Sequence, residues 1–529
     1  MNTASIAASE TRAPSGAFAN TPFVDFNEPE NARAMRSALG RVQTELGHEY
    51  DLIIGGRRHK TTAKIRSLNP ARPEQVVGIH QKAEAGEAGM AMDAALRAFA
   101  TWSRTPTEQR ASVLLRAAEI ISERKFEFLA WLTYEVGKNW AEADADVGES
   151  IDFLEFYARE ALRLASASPP LQYPGERDEL LYIPLGVGAV IPPWNFPLAI
   201  MAGMTSASIV AGNTVVLKPS SDAPTIAARF VEVLEEAGLP DGVVNFCPGS
   251  GGTFGDAIVA HPKTRFIAFT GSKAVGLEIN QRAARVQPGQ LWIKRTILEM
   301  GGKDAIVVCS DADLDAAVEG VVASAFGYSG QKCSACSRAI VEAPLYDAFL
   351  ERLRERVAAL TLGDPASNRN LGPVINQSAL QSILGYIETG KKEARLIAGG
   401  HAPESADKGY YIEPTVFADV PADAAIAHAE IFGPVLAVIK SASFEESLDI
   451  ANNTEYGLTG SVYTGSRGHI DRARHEFHVG NLYFNRKCTG ARVGAHPFGG
   501  FNMSGTDSKA GGPDYLYLFT QAKSVAEKL

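Results

Sequence analysis

The chain has 529 residues, of which 45% are hydrophobic and 21% charged, with a formal net charge of −10. That length and balance describe an ordinary soluble globular protein of more than one domain. An acidic chain without a dense lysine or arginine block excludes nucleic acid and anionic membrane as partners.

The first residues lack a basic segment followed by an apolar one, so no secretory signal is expected. The cysteines are Cys247, Cys309, Cys333, Cys336 and Cys488. An odd, sparse set suggests free thiols in a reducing compartment, and hence the cytoplasm. Residues 1–50 read as a mixed polar and helical extension over the body. Asp51-Leu-Ile-Ile-Gly-Gly-Arg57 reads as a strand and tight turn opening the first regular domain. Residues 107–135 carry Val113, Leu114, Ala117, Ile120 and Ile121 at helical spacing, which predicts one amphipathic helix, and residues 141–164 predict a second.

Residues 166–179 are rich in proline and charge, and the next stretch is strand-like, which suits a protruding hairpin. No charge occurs between Leu180 and Leu217, long enough for a membrane span. Pro184, Pro192, Pro193 and Pro197 interrupt it, however, so buried strand, loop, helix and strand are expected instead. Short β-branched runs then alternate with helical stretches through residue 269, and a second such series runs from Lys303 to about Phe484. The fold class predicted is therefore α/β, with two parallel-sheet domains built of βαβ units. Residues 515–519 read as a strand that returns to a neighbouring domain or subunit.

Several short stretches carry candidate chemistry. Pro192-Pro-Trp-Asn195-Phe-Pro197 is a stiff loop presenting one amide, which could donate to an oxyanion or simply cap the next helix. No GxGxxG occurs, but Phe269-Thr-Gly-Ser-Lys-Ala-Val-Gly276 follows a strand and opens a helix, as a pyrophosphate turn or a plain connection would. Glu299 stands in an otherwise uncharged turn among Ile297, Leu298 and Met300. A lone glutamate is more often solvated, yet desolvation here would give a base for neutral pH. Cys333, in Phe326-Gly-Tyr-Ser-Gly-Gln-Lys-Cys333-Ser-Ala-Cys-Ser337, sits among small residues beside Lys332, which would favour its thiolate. Cys333 and Cys336 could instead form a redox or metal pair, but zinc needs four ligands and no second CxxC or HxxxH is found, so no metal is expected. Thr489-Gly490-Ala491 is an ordinary turn or, with its amides and the Ser334 hydroxyl, an anchor for a carboxylate.

Together and in this order these segments closely resemble the NAD(P)-dependent aldehyde dehydrogenases. The matching stretches are residues 191–198, Lys218-Pro-Ser220, 269–276, 298–303, 330–333 and Glu430-Ile-Phe-Gly-Pro-Val435. Gly330-Gln-Lys-Cys-Ser-Ala-Cys-Ser-Arg338, residues 485–491, Pro497-Phe-Gly-Gly500 and residues 504–513 are similar to members that oxidise L-glutamate γ-semialdehyde. The alternatives are a dehydrogenase for another small aldehyde, such as succinate semialdehyde, and a non-catalytic binding protein on the same fold.

The resemblance implies an aldehyde dehydrogenase-like fold of two Rossmann-type domains plus a hairpin and C-terminal oligomerisation arm. Residues 1–50 would be the extension, 51–165 and 185–300 the NAD(P)-binding domain, 301–498 the catalytic domain, and 166–184 with 499–529 the arm. A homo-oligomer, a dimer or an assembly of dimers, is implied. Cys333 would be the nucleophile, Glu299 the base, and Asn195 with the Cys333 amide the oxyanion hole. Lys218 would bind the adenosine ribose of NAD, Ser272 the pyrophosphate, and Glu430 and Phe432 the nicotinamide end. Ile191, Trp194, Ser220, Gly251, Phe269, Gly271 and Val275 would complete the cofactor contacts. Ser221 stands where many members carry a ribose-binding glutamate, which leaves NADP possible. Lys332, Ser334, Gly490 and Ala491 would hold the small-molecule substrate, with Phe498 on its aliphatic chain.

Overall fold

The computed structural model describes residues 16–166, 170–403 and 409–529. Two seven-stranded sheets organise them. In the first, strands Arg295–Glu299, Thr264–Thr270, Val187–Ile191, Thr214–Leu217 and Val244–Phe246 run parallel. Leu52–Ile54 and Arg57–His59 extend that sheet in antiparallel fashion. Every residue of Val187–Ile191 and Thr214–Leu217 is buried, as strands covered on both faces require.

The second sheet has the order Arg395–Ala398, Thr415–Ala418, Val435–Ser441, Cys336–Glu342, Asp304–Val308, Thr459–Tyr463 and Asn481–Phe484. Only Arg395–Ala398 is antiparallel to its neighbour. Helices Leu314–Phe326 and Ala343–Ala358 cover one face, while Gln377–Glu393, Phe444–Asn452 and Arg467–Glu476 cover the other.

Three local expectations change. The helix expected over 107–135 is two, Thr107–Glu123 and Lys125–Val136, broken at Arg124, whose φ of −101° and ψ of 18° leave the helical region. The break re-aims Phe128, Leu129, Trp131 and Leu132 into the core beside helix Pro29–Gln43. Apolar periodicity runs straight through it, so the pattern conceals the corner. The arm is a strand, Glu176–Pro184, paired antiparallel with the C-terminal strand Thr520–Lys528. Residues 515–519, expected as strand, form a 3₁₀ turn that buries Tyr515, Leu516 and Phe519. Residues 167–169 of the expected hairpin lie outside the described residues, as do 1–15 of the extension.

The rest of the extension is tied down by buried acids. Asp152 accepts from the Asn20 amide at 2.9 Å and the Thr21 N–H at 2.7 Å, and Asp144 accepts from the Val24 N–H at 2.7 Å. With both sheets assembled, the carboxyl ends of the first sheet's parallel strands face the amino ends of the second's. Ile191, Leu217, Thr270 and Glu299 end strands on one side, and Asp304, Cys336, Val435 and Thr459 begin strands on the other. The candidate residues lie along this junction.

Candidate active site

The approach to Cys333 is a tight, buried turn. Tyr328, Ser329 and Gly330 have φ of 51°, 53° and 70°, three successive residues in the left-handed region. For non-glycine residues such strain costs of order 1–3 kcal/mol each and persists only where the surroundings impose it. Here they do. The Tyr328 hydroxyl donates to the Val136 carbonyl and the Ser329 hydroxyl to that of Gly372, both at 2.7 Å. Gln331 accepts from the Ile375 N–H at 2.8 Å and donates to the Pro373 carbonyl at 3.2 Å. At Gly330 a Cβ would come within 2.2 Å of the Gly433 carbonyl oxygen, so only glycine fits. The Asn195 amide reaches the same turn, donating to the Gln331 carbonyl at 3.0 Å. It does not cap the next helix, since Asp146 accepts from the Ala199 N–H there at 2.7 Å.

Cys333 is half-buried, and its thiol is pushed up by desolvation and then by the Asp304, Glu299 and Glu430 carboxylates. The expectation that Lys332 favours the thiolate is not met. Its ammonium is paired with Glu142 at 2.7 Å, which spends its charge on another carboxylate. Nor is Cys333 paired with Cys336. That thiol is buried against Cys488, and all five cysteines are free.

Glu299 is the last residue of strand Arg295–Glu299 rather than part of a turn. Its Oε1 accepts from the Ser508 hydroxyl at 2.5 Å, and its Oε2 is buried without a hydrogen-bond partner among the described residues. Burial raises its pKa to about 8, partly offset by Ser508 and Lys509. The returning chain closes over it. The Met300 N–H donates to the Ser504 carbonyl at 2.7 Å, and that of Thr506 to the Leu298 carbonyl at 2.9 Å. A buried carboxylate with one free oxygen, titrating near neutrality, has the properties of a general base.

The expected cofactor residues follow the first sheet's carboxyl edge. Lys218, just after strand Thr214–Leu217, is buried, and among the described residues its ammonium finds only the Pro219 carbonyl, at 3.1 Å. Burial lowers its pKa to about 8. Its stem packs on Gly255, beyond Gly251 in the next turn. Ser220 is half-buried and Ser221 exposed. Ile191 ends its strand in the core, as Phe269 nearly does, and the Gly271 N–H donates to the Glu299 carbonyl at 3.0 Å. The Ser272 hydroxyl caps helix Lys273–Ala283 by accepting from the Val275 N–H at 3.4 Å, and the Val275 side chain is exposed.

From the other side, Glu430 accepts from the Gly302 N–H at 3.1 Å, and burial raises its pKa to about 7. A Cβ on Gly301 would lie 2.0 Å from that carboxylate, so glycine is required for its approach. Phe432, with φ of 56°, meets Trp194 edge to face at 5.5 Å. The two rings bridge the domains.

At the far end, Gly490 has φ of 77°, and Arg486 donates to the Thr489 and Gly490 carbonyls, each at 3.0 Å. The Gly490 and Ala491 amides themselves have no protein acceptor among the described residues. The Cys488 thiol donates to the Ser334 carbonyl at 3.4 Å, joining this turn to the nucleophile segment. Phe498 is half-buried and exchanges backbone bonds with Ala510 at 2.8 and 2.7 Å.

Sequence reasoning missed Glu142, Asp146, Gln331 and Ser508. Glu142, Asp146 and Glu149 recur at helical spacing on one side of Trp140–Ala165. Acids on the face of a helix that also buries Phe153 and Phe156 were the available signal. Nothing local marks Ser508.

Three comparisons with known proteins agree. The Aldehyde dehydrogenase family profile matches residues 57–525. A 1-pyrroline-5-carboxylate dehydrogenase of Geobacillus thermodenitrificans is 58% identical over 511 residues, covering 96% of this chain and 99% of that one. The Thermus 1-pyrroline-5-carboxylate dehydrogenase, solved with bound NAD, superimposes with a TM-score of 0.96 at 52% identity, over 97% of this chain and 99% of that one. Proline utilization A from Bdellovibrio bacteriovorus gives a TM-score of 0.95 at 46% identity, over 98% of this chain and 54% of that one.

Proposed function

The chain belongs to the aldehyde dehydrogenase family, and we propose that it oxidises L-glutamate γ-semialdehyde to L-glutamate in proline catabolism. The aldehyde arises when the ring of 1-pyrroline-5-carboxylate opens by hydrolysis. The observation that supports this reading is the junction itself, where the Asn195 amide reaches the Cys333 turn, the Glu299 carboxylate acts on the Cys333 thiol, and the Cys488 thiol ties the Thr489–Ala491 turn to Ser334.

In the proposed mechanism Cys333 Sγ adds to the aldehyde carbon, and Asn195 Nδ2 with the Cys333 N–H holds the resulting oxyanion. Burial and then the Asp304, Glu299 and Glu430 carboxyl groups raise the thiol pKa, so its proton passes to solvent as the bond to carbon forms. The residues fit a dinucleotide: Lys218 is a buried ammonium with a single acceptor among the described residues, which would leave donors for ribose hydroxyls, and Glu430 with the Trp194–Phe432 pair would hold the nicotinamide end. NAD, with NADP as a second possibility, supplies the hydride acceptor. Glu299 then deprotonates the water that hydrolyses the Cys333 thioester, its raised pKa suiting a base near neutral pH. Gly490 and Ala491 amides and the Ser334 hydroxyl receive the α-carboxylate, with Phe498 along the aliphatic chain.

We further assign a homo-oligomer, a dimer or an assembly of dimers, in the cytoplasm. The two-stranded arm exposes Leu180 and Leu181 and offers edges with no further strand partner among the described residues. No helix among those residues is long and apolar enough to cross a membrane. The test is NADH formation with glutamate γ-semialdehyde, succinate semialdehyde and propanal. Strong preference for the first supports the reading, and equal rates on all three would overturn the substrate while keeping the chemistry.

A further inference from the structure

The second sheet has its own carboxyl edge, turned away from Cys333. Strand Asp304–Val308 separates the two ends, and five residues at about 3.3 Å each make that roughly 16 Å. In an open parallel sheet, ligands bind in the crevice at the carboxyl ends where successive connections diverge to opposite faces. That point lies here between Asp304–Val308 and its neighbour Thr459–Tyr463. From the first, the chain continues to helix Leu314–Phe326 on one face, and from the second to helix Arg467–Glu476 on the other. The crevice between the two departing loops belongs to no part of the proposed dehydrogenase chemistry.

It gathers a sulfur, a nitrogen and a carboxylate. Ligand atoms of Cys309, Asp311 and His469 all lie within 4.8 Å of one another. Cys309 is fully buried, His469 half-buried and Asp311 exposed, so the group opens to solvent on one side. Thr464 fixes two members, its hydroxyl donating to Asp311 at 2.8 Å and standing 3.3 Å from His469 Nδ1. The His469 ring is stacked on Phe444 at 4.2 Å, which holds its plane.

An independent observation points to a ligand. Glu342, at the carboxyl end of the adjoining strand, is 94% buried and lies beside the Cys309 thiol. One of its oxygens accepts from the Ser310 N–H at 2.8 Å, but Oε1 is buried with no hydrogen-bond partner among the described residues. An orphaned buried carboxylate oxygen is costly and calls for a cation or a donor.

We propose that Cys309, Asp311 and His469 form a binding site for a zinc ion, with a water completing its coordination and the Glu342 carboxylate beside the Cys309 thiol as a neighbouring negative charge. Thiolate, imidazole and carboxylate suit zinc, whereas calcium and magnesium want oxygen alone. A tetrahedral zinc needs its ligand atoms about 3.3–3.8 Å apart, within small side-chain rotations of the spacing found. Binding displaces the Cys309 thiol proton and places a double positive charge against the Glu342 oxygen. The ligands come from two segments far apart in the chain, which is why CxxC and HxxxH spacing gave no sign of them.

The test removes the catalytic thiol first, so that it cannot bind metal. Cys333→Ala protein is stripped with chelator, incubated with zinc chloride, desalted and assayed for zinc. About one zinc per chain is expected, falling to under about one-tenth when Cys309→Ser and His469→Asn are added. Cobalt in place of zinc, on the otherwise unaltered Cys333→Ala chain, gives a thiolate-to-metal charge-transfer band that Cys309→Ser abolishes and Cys488→Ser leaves. No retained zinc, zinc retained in full by the triple variant, or a cobalt band indifferent to Cys309→Ser would each overturn the site. Cys309→Ser in the otherwise native chain should leave dehydrogenase turnover unchanged, which separates this proposal from the catalytic one.

Discussion

The two sheets meet the site with opposite ends, and their contributions differ accordingly. Along the first, strands simply stop: Lys218, Gly271 and Glu299 stand at or just past the carboxyl ends of extended, fully bonded backbone. Along the second, chain arrives: Cys333 and Phe432 precede their strands on backbone with left-handed residues nearby. The first edge presents groups tuned by burial, an ammonium lowered to about 8 and a carboxylic acid raised to about 8. The second presents the proposed nucleophile, positioned by shape, its turn held by Tyr328, Ser329 and Gln331 rather than by charge. In the proposed mechanism the first edge would supply the base and Lys218 for the cofactor, and the second the attacking atom with Glu430 and Phe432 at the nicotinamide end, so lesions on the two sides should fail differently.

The sharpest contrast is between Cys333→Ala and Glu299→Gln. The first should abolish NADH formation outright, burst included. The second should keep one rapid turnover per site and then stall, with steady-state rate down about 100- to 10,000-fold. Loss of the burst in Glu299→Gln would erase the division between the edges. Asn195→Ala should lower kcat about 100- to 1,000-fold with cofactor affinity unchanged, and equal losses in both would remove it from the oxyanion hole.

Ser508→Ala is subtler. Its hydroxyl bonds the ionised Glu299 carboxylate and so holds the pKa below what burial alone would give. Removing it raises that pKa further, so the pH at which thioester hydrolysis reaches half its maximum should move upward. A profile unmoved or shifted to lower pH would break that link. Ser221→Glu should have the smallest effect, reducing NADP use while sparing NAD, measured as the ratio of the two kcat/KM values.

Much of this junction was legible because its chemistry is local. Cys333 among small residues, Glu299 in an apolar setting and Asn195 in a proline-rich loop each stand out in a few residues of sequence. The alternating runs likewise foretold two parallel sheets, since buried strands read as unbroken β-branched stretches. What stayed hidden depends on distance along the chain. Ser508 reaches Glu299 across 209 positions, and Glu142 takes the charge of Lys332 across 190. Lys332 misled for that reason, because a neighbour in sequence says nothing of the acid that neutralises it. The corner at Arg124 was masked by apolar spacing that continues through it, and the C-terminal strand starts only where the 3₁₀ turn at Tyr515–Phe519 has buried its aromatic rings.

The most direct test is the intact mass of Glu299→Gln protein after brief mixing with NAD and glutamate γ-semialdehyde. A single covalent glutamyl adduct on Cys333, missing from the Cys333→Ala, Glu299→Gln double variant, is the predicted result. An unmodified Glu299→Gln chain that still turns over, or an adduct that survives loss of Cys333, would contradict the account.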